Sequence, residues 1–287
     1  MAPLPAVIDL SDRAKFRLSG PDRVRYLNGQ VTNNVARLRA GETCYALVCN
    51  HKGKIEGDVF IRATDDALLI DAPGELREPL LARLGKYLIA DDCEIEDVTE
   101  AYALWHELEE AAGSAEGSAS VNRFGVLGRD CWALQPREVP AATLAGAELE
   151  RLRLEHAIPA WGSELTPNTL PQEARLQDRA VDFSKGCYIG QEVISRLKSV
   201  GHVTRELRAL ETTAGAGPLR AGDGLYLGED LLEAGRVTSA AWHPGLEKTI
   251  ALGYVKSTLA KSGTVFRAGK DKNVLSSAVT FRDTDFA

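Results

Sequence analysis

Long apolar runs are missing from this chain of 287 residues. No segment reaches about 18 consecutive apolar residues, so a membrane-crossing helix is not expected. A secretory leader is not expected either. The opening "MAPLPAVIDLSDRAKF" has no basic n-region, and Asp9, Asp12 and Arg13 interrupt any apolar stretch. A cytoplasmic location is the expectation. An excess of positive charge is also lacking, since the formal net charge is −7. Phosphate-driven nucleic-acid binding needs a broad basic footprint, so direct contact with nucleic acid is not expected. A small anionic ligand needs only a few well-placed Arg or Lys side chains, and that stays open.

Paired cysteine spacing is absent. Cys44, Cys49, Cys93, Cys131 and Cys187 are odd in number and scattered, with no CxxC. That removes a zinc knuckle and a thioredoxin-like motif. Cys44 and Cys49 fall on opposite faces if "CYALVC" is a strand, and read as small buried hydrophobes. His51, His106, His156 and His243 are dispersed, and no metal site is expected from them. No internal repeat is found.

What is present is ordinary globular composition, with 44% hydrophobic and 26% charged residues. A chain of this length makes two domains, or three small ones, at roughly 100–200 residues each. In "FRLSGPDRVRYLNGQVTNNVARL", Ser19 or Asp22 can cap a helix carrying Val24, Leu27 and Val31, with a break or bend at Asn28-Gly29. The run from Thr43 to Pro73 reads as three strands joined by turns at "HKGK" and "TDD", a meander. Leu76, Leu80, Leu81 and Leu84 mark an amphipathic helix, and "CEIEDV" a strand. "ALWHELEE" is a strand or a short helix. "AAGSAEGSASVN" reads as an exposed loop. "RFGVLGRDCWALQP" resumes strand character. A helix from about Ala145 to His156 follows and is stopped by Pro159. After Arg205 come short β runs punctuated by Gly and Pro, which fit a small all-β barrel or sandwich.

The stretch "FSKGCYIGQEVISRLKSVGH" places Cys187 in a loop before a helix that starts at Gln191. Val193, Ile194, Leu197 and Val200 form that helix's apolar stripe, and Gly201 is placed to close it. Gly186 and Gly190 allow a sharp turn and a close approach. Lys185 and the positive helix N-terminus both favour thiolate over thiol. The alternative is a buried thiol that packs the loop. The residues leave both open.

"KGCYIGQE" with the following Arg196 resembles the signature of the YgfZ-type folate-binding proteins, relatives of the glycine-cleavage T-protein that support iron–sulfur enzymes. Residues 26–55, "YLNGQVTNNVARLRAGETCYALVCNHKGKI", resemble that family's N-terminal stretch. Residues 152–165, "LRLEHAIPAWGSEL", resemble its "R-x-E-x-G-x-P" segment, with Ala157 where glycine is usual. "PQE" at 171–173 also fits, and residues 235–255 resemble the C-terminal barrel shared with the T-protein.

The resemblance implies an α+β fold, a T-protein-like ring of three domains around a central folate channel. A mixed α/β first domain would comprise 1–42 plus 146–205, a ferredoxin-like insert 43–145, and the C-terminal β-barrel 206–287. It implies tetrahydrofolate as cofactor, with Asn28, Gln30, Arg153, Glu155 and Trp161 as binding candidates. A guanidinium suits folate's glutamate tail, and a carboxylate suits its pterin N–H groups. Arg153 and Glu155, two apart, do not face each other on a helix. Cys187 and Lys185 are the candidate chemical centre. The implied function is a folate-binding accessory protein for assembly or repair of iron–sulfur clusters, linked to tRNA modification. Its partners would be iron–sulfur proteins or cluster carriers, met transiently by a monomer. The alternative is a folate-dependent aminomethyltransferase or methyltransferase using Asp58, where the T-protein carries an acidic residue. A solvent-facing strand position is the plain reading of Asp58.

Overall fold

The structure is a computed structural model, and it describes residues 6–108, 120–136, 139–199, 201–261 and 263–284. The meander is there. Strands β3 (Thr43–Cys49), β4 (Ile55–Ala63) and β5 (Ala67–Ala72) pair antiparallel in sequence. Strands β2 (Ala14–Ser19) and β6 (Glu94–Asp97) extend them to a five-stranded sheet in the order β3-β4-β5-β2-β6. Period-two alternation gives this sheet two different faces. Ala46, Val48, Val59 and Ile61 pack toward helices α1 (Arg23–Gln30) and α2 (Arg77–Gly85). Tyr45, Leu47, Cys49 and Phe60 point the other way, onto the segment around 161–194. Cys44 and Cys49 accordingly lie in the two opposite layers.

A second sheet has the order β1-β7-β9-β8, from Ala6–Asp9, Tyr102–Leu108, Leu127–Leu134 and Ser120–Asn122. "ALWHELEE" is therefore a strand up to Leu108. The Gly/Ser-rich stretch lies outside the described residues at 109–119, and its last three residues form β8. The division at 42/43 read from the sequence runs through a sheet, because β2 from before it pairs directly with β5 from after it.

Helix α1 runs through Asn28-Gly29 without the expected break. Asn28 Oδ1 accepts from the Val35 amide at 3.2 Å, and buried Tyr26 and Leu27 hold the helix against the sheet. Asp22 occupies the N-cap position, but its carboxylate takes the Asp92 amide at 2.8 Å and pairs with Arg25. Helix α3 (Gly146–Glu155) ends before Ala157, which adopts left-handed backbone at φ 52°. That conformation is the one glycine adopts most readily. Two short helices follow, α4 (Gln177–Ala180) and α5 (Gln191–Ser199). Val200, placed on the apolar stripe of α5 from sequence, lies outside the described residues.

The C-terminal part is a closed six-stranded barrel in the order β10-β13-β12-β11-β14-β15. Its strands are β10 (Arg205–Thr212), β11 (Gly224–Leu227), β12 (Leu232–His243), β13 (Lys248–Lys256), β14 (Val265–Asp271) and β15 (Val274–Phe281). Closure through β10 and β15 leaves no sheet edge exposed. The outer wall of the barrel is covered by α3, where Leu154 and Ala157 pack on Leu207, Ile250 and Leu252.

One buried carboxylate ties the barrel to the rest. Glu164 Oε1 accepts from Thr238 and Ser239 of β12, each at 2.6 Å. Its Oε2 accepts from Arg153 Nη1 and the Ala160 amide, each at 2.9 Å. Removing it leaves the Ser239 hydroxyl and the Ala160 amide without this acceptor and Arg153 with Glu150 as its remaining acid, and a buried group left unsatisfied costs about 1–3 kcal/mol. Glu164→Ala is expected to lose stability on that scale in chemical denaturation, with Glu164→Gln losing less. A loss under about 1 kcal/mol would mean the carboxylate is not the tie described.

Candidate functional site

A cavity opens where the two sheets meet α3 and α4. It is lined by Arg13, Tyr45, Asp58, Phe60, Arg123, Phe124, Arg153 and Arg179, with Leu10 and residues 158–160 completing the wall. Its empty space, counting the open mouth, is about 520 Å³. The part that a water-sized molecule can enter is about 120 Å³, below the roughly 300–1,000 Å³ common for small-molecule pockets. Four guanidiniums face one carboxylate.

Each side chain is there for a local reason. Tyr45 and Phe60 are register partners on β3 and β4, and their rings lie 4.8 Å apart. Asp58 is two residues before Phe60 on β4, so it shares that face. It is buried against the cavity and does not face solvent, which corrects the plain reading of that position. Its Oδ2 receives the Tyr45 hydroxyl at 3.4 Å, while Oδ1 has no hydrogen-bond partner among the described residues. Burial raises the Asp58 pKa above the usual carboxylate range, with Arg13 opposing.

Arg123 lies 3.8 Å over the Phe60 ring and forms fork contacts with two acids. It meets Asp130 at 2.6 and 2.7 Å and Asp71 at 2.6 and 3.0 Å. Arg13 shares Asp71 through Nε, and its Nη2 is buried with no partner among the described residues. Arg179 stacks 4.8 Å from the Tyr45 ring and donates to the carbonyl of Asn122. Arg153 is held by Glu150, Glu164 and the Ile158 carbonyl.

Residues 5–106 match the GCVT N-terminal domain, and residues 205–281 match the glycine cleavage T-protein C-terminal barrel domain. The aminomethyltransferase of Rubrobacter xylanophilus is 30% identical, over 87% of this chain and 75% of its own. The tRNA-modifying protein YgfZ of Serratia proteamaculans is 30% identical, over 82% of this chain and 80% of its own. The chain belongs to the glycine cleavage T-protein family, as a YgfZ-type member. Its fold is that of the aminomethyltransferase T of the Bartonella henselae glycine cleavage system. That likeness has a TM-score of 0.80 at 17% identity and covers 98% of this chain and 86% of the other.

The candidates taken from the T-protein family resemblance separate into different places. Arg153 lines the cavity. Glu155 turns to the barrel and pairs with His243 at 2.9 Å, outside the cavity. Trp161 packs between the two hydrophobic layers of the five-stranded sheet. Gln30 accepts from Arg83 at 3.1 Å, away from the cavity. Asn28 is brought beside Lys185, whose ammonium donates to the carbonyls of Asn28, Val31 and Asn33 at 2.6, 2.7 and 2.8 Å. Those three bonds use every ammonium hydrogen, so Lys185 clamps its loop to the end of α1 and has no hydrogen left for a thiol. Burial lowers its pKa to about 8, with Asp182 and Cys44 opposing.

Cys187 is the one exposed thiol of the five. It sits in the expected loop before α5, outside the cavity lining. Gly190, at φ 89°, lies against the carbonyl of Asn50 on the β3–β4 turn, where any side chain would collide at 2.6 Å. The close approach read from that glycine is with the protein's own hairpin.

Sequence reasoning missed Arg13, Tyr45, Phe60, Arg123, Phe124 and Arg179. Arg13, Arg123 and Arg179 stand in short polar stretches with no shared spacing, and only folding gathers them.

Two outcomes are expected. Because the folded protein holds the Asp58 proton more tightly than the unfolded chain, stability conferred by the neutral form is lost as pH rises. Asp58→Asn therefore raises the unfolding midpoint at pH 7 and gives little change at pH 3, where both states are protonated. An equal gain at both pH values would contradict the assignment. Secondly, burial pushes Cys44 up to about 12 and Cys131 up to about 11, and raises Cys49 and Cys93 as well. Brief iodoacetamide treatment of the native protein at pH 7.5, read by peptide mass spectrometry, is expected to alkylate Cys187 first. Faster labelling of any other cysteine would contradict that order.

Proposed function

We propose that this protein binds tetrahydrofolate in the arginine-rich cavity and acts as an accessory protein in assembly or repair of iron–sulfur clusters. The observation that carries the folate reading is the cavity itself. It offers aromatic surfaces for a flat ring and guanidiniums for an anionic tail. It also keeps a buried acceptor on Asp58 and a buried donor on Arg13 unpaired among the described residues. An unpaired buried polar atom costs about 1–3 kcal/mol, a cost a bound ligand can remove. Folate, when bound, supplies one-carbon chemistry; the chain's part is to hold and orient it. Membership of a family with aminomethyltransferase relatives supports the same ligand.

The cluster role rests on the resemblance at "KGCYIGQE" and on the exposure of Cys187, held in a loop pinned by Lys185. A single thiolate cannot hold a cluster that takes about four ligands, so its contact with iron–sulfur proteins or cluster carriers is transient. The link to tRNA modification, named for the Serratia relative, is carried over as part of this proposal.

A second reading is favoured by one observation. Asp58 is buried in the cavity, where a folate-dependent aminomethyl- or methyltransferase would need an acidic group. The tests separate the two. In a strain lacking this protein, Cys187→Ala is expected to restore a cluster-dependent enzyme poorly, and full restoration would remove the thiol from the mechanism. Turnover of an aminomethyl donor to methylene-tetrahydrofolate, abolished in Asp58→Asn, would favour the transferase. Absence of tetrahydrofolate binding at near-millimolar concentration would sink both.

A further inference from the structure

The exposed thiol of Cys187 stands where three cationic segments meet. Arg37, on the turn that follows α1, reaches the thiol loop. Its Nη2 donates to the Ser184 hydroxyl at 3.4 Å, and its Nη1 lies 3.5 Å from the Asp182 carboxylate. The β3–β4 turn, which carries Lys52, packs on the other side of the loop, with Gly190 against the Asn50 carbonyl and Gly53 against Val193. Lys198 of α5 folds back over the Phe183 ring at 3.7 Å. Arg37, Lys52 and Lys198 are all exposed, and the two lysines have no ion pair among the described residues. Residues 33–39, 50–54 and 182–199 together hold seven basic and two acidic residues, so this face has the sign opposite to a chain of net charge −7. Of the two acids, Asp182 is half-buried and already spent on Arg37 and Ser184, which leaves Glu192 as the one exposed carboxylate.

We propose that this face is the docking surface for an acidic protein partner, whose carboxylates meet Arg37, Lys52 and Lys198 and bring the partner's own reactive group to Cys187. The inference rests on the cluster reading above and adds the chemistry of the partner's surface. Opposite charge across a contact steers the encounter and suppresses wrong partners, which suits a transient meeting. A cluster held by thiolates is itself an anion, so the same cations favour its approach. A nucleic acid fits this face less well. Asp182 and Glu192 interrupt the cations, and binding to a phosphate chain needs a broad basic footprint. Phe183 is covered by Lys198 and Tyr188 is buried, so neither ring is free for a base to stack on.

The probe is fluorescein-labelled poly-L-glutamate, with an oligouridylate RNA of matched charge as the competing class. Binding to the full chain is read by anisotropy at low ionic strength. Alkylation of Cys187 by iodoacetamide is then timed with and without saturating poly-L-glutamate. The acidic polypeptide is expected to bind more tightly than the RNA and to slow alkylation of Cys187. Arg37→Gln, Lys52→Gln and Lys198→Gln combined, with the fold checked by circular dichroism, are expected to weaken its binding about tenfold, the product of three exposed ion pairs. Should that variant not fold, Lys52→Gln with Lys198→Gln is expected to lose about fivefold. Tighter binding of the RNA, an unchanged alkylation rate, or undiminished binding by the folded variant would each overturn the docking surface. The cluster reading would survive those results, because Cys187→Ala in the deletion strain judges it separately. Full restoration by Cys187→Ala, with poly-L-glutamate still protecting the wild-type thiol, would overturn the cluster reading and leave the acidic partner standing.

Discussion

The guanidinium of Arg123 lies between two buried aspartates that belong to different sheets. Asp71 stands on β5 of the five-stranded sheet and Asp130 on β9 of the four-stranded one. Bidentate contacts to both fix the distance and angle at which the sheets meet. Burial works against the Arg123 charge, but the two acids outweigh it and raise its pKa. The same cation rests on Phe60, and the same Asp71 holds Arg13. His106, fully buried, completes Asp130 at 2.8 Å. The net stability of such a cluster against an apolar replacement is small, since desolvation offsets most of its attraction. Its consequence is geometric, because it sets one arrangement of the cavity's cationic and aromatic walls.

The barrel acts on this cavity from outside. None of the lining residues belongs to it. Its link is Glu164, which takes two hydroxyls from β12 on one oxygen and presents the other to Arg153. Tyr254 of β13 adds a hydroxyl to the Glu164 carbonyl at 3.0 Å. A change in the seat of the barrel therefore reaches the cavity through Arg153 and through the Ala160 amide that Glu164 also holds.

The thiol loop and the cavity lie on different parts of the same hairpin layer. The Cys187 loop is fastened by Lys185 to the carbonyls at the end of α1 and by Gly190 to the β3–β4 turn. The cavity begins at Tyr45 and Asp58, farther along the same two strands. Hairpin strands β3 and β4 thus carry both features. Lys185, expected to poise the thiol, has the structural duty of holding the loop.

The sequence by itself determined the local elements and their order. The meander of β3, β4 and β5, the helices at 77–85, 146–155 and 191–199, and the barrel strands from Arg205 all follow from period and turn chemistry, which act over a few residues. It also determined the loop placement of Cys187. Tertiary structure alone decided which polar residues share a space. Arg13, Asp58, Arg123 and Arg179 come from a turn, a strand, a loop and a short helix with no common spacing, and two sheets must pack before their charges meet. It decided the face of Asp58 as well, because alternation along a strand divides residues into two sets without saying which set is covered. Glu155 and Lys185 show the converse. Both carry the right chemistry in the right motif, yet a histidine of the barrel and three backbone carbonyls claim them first.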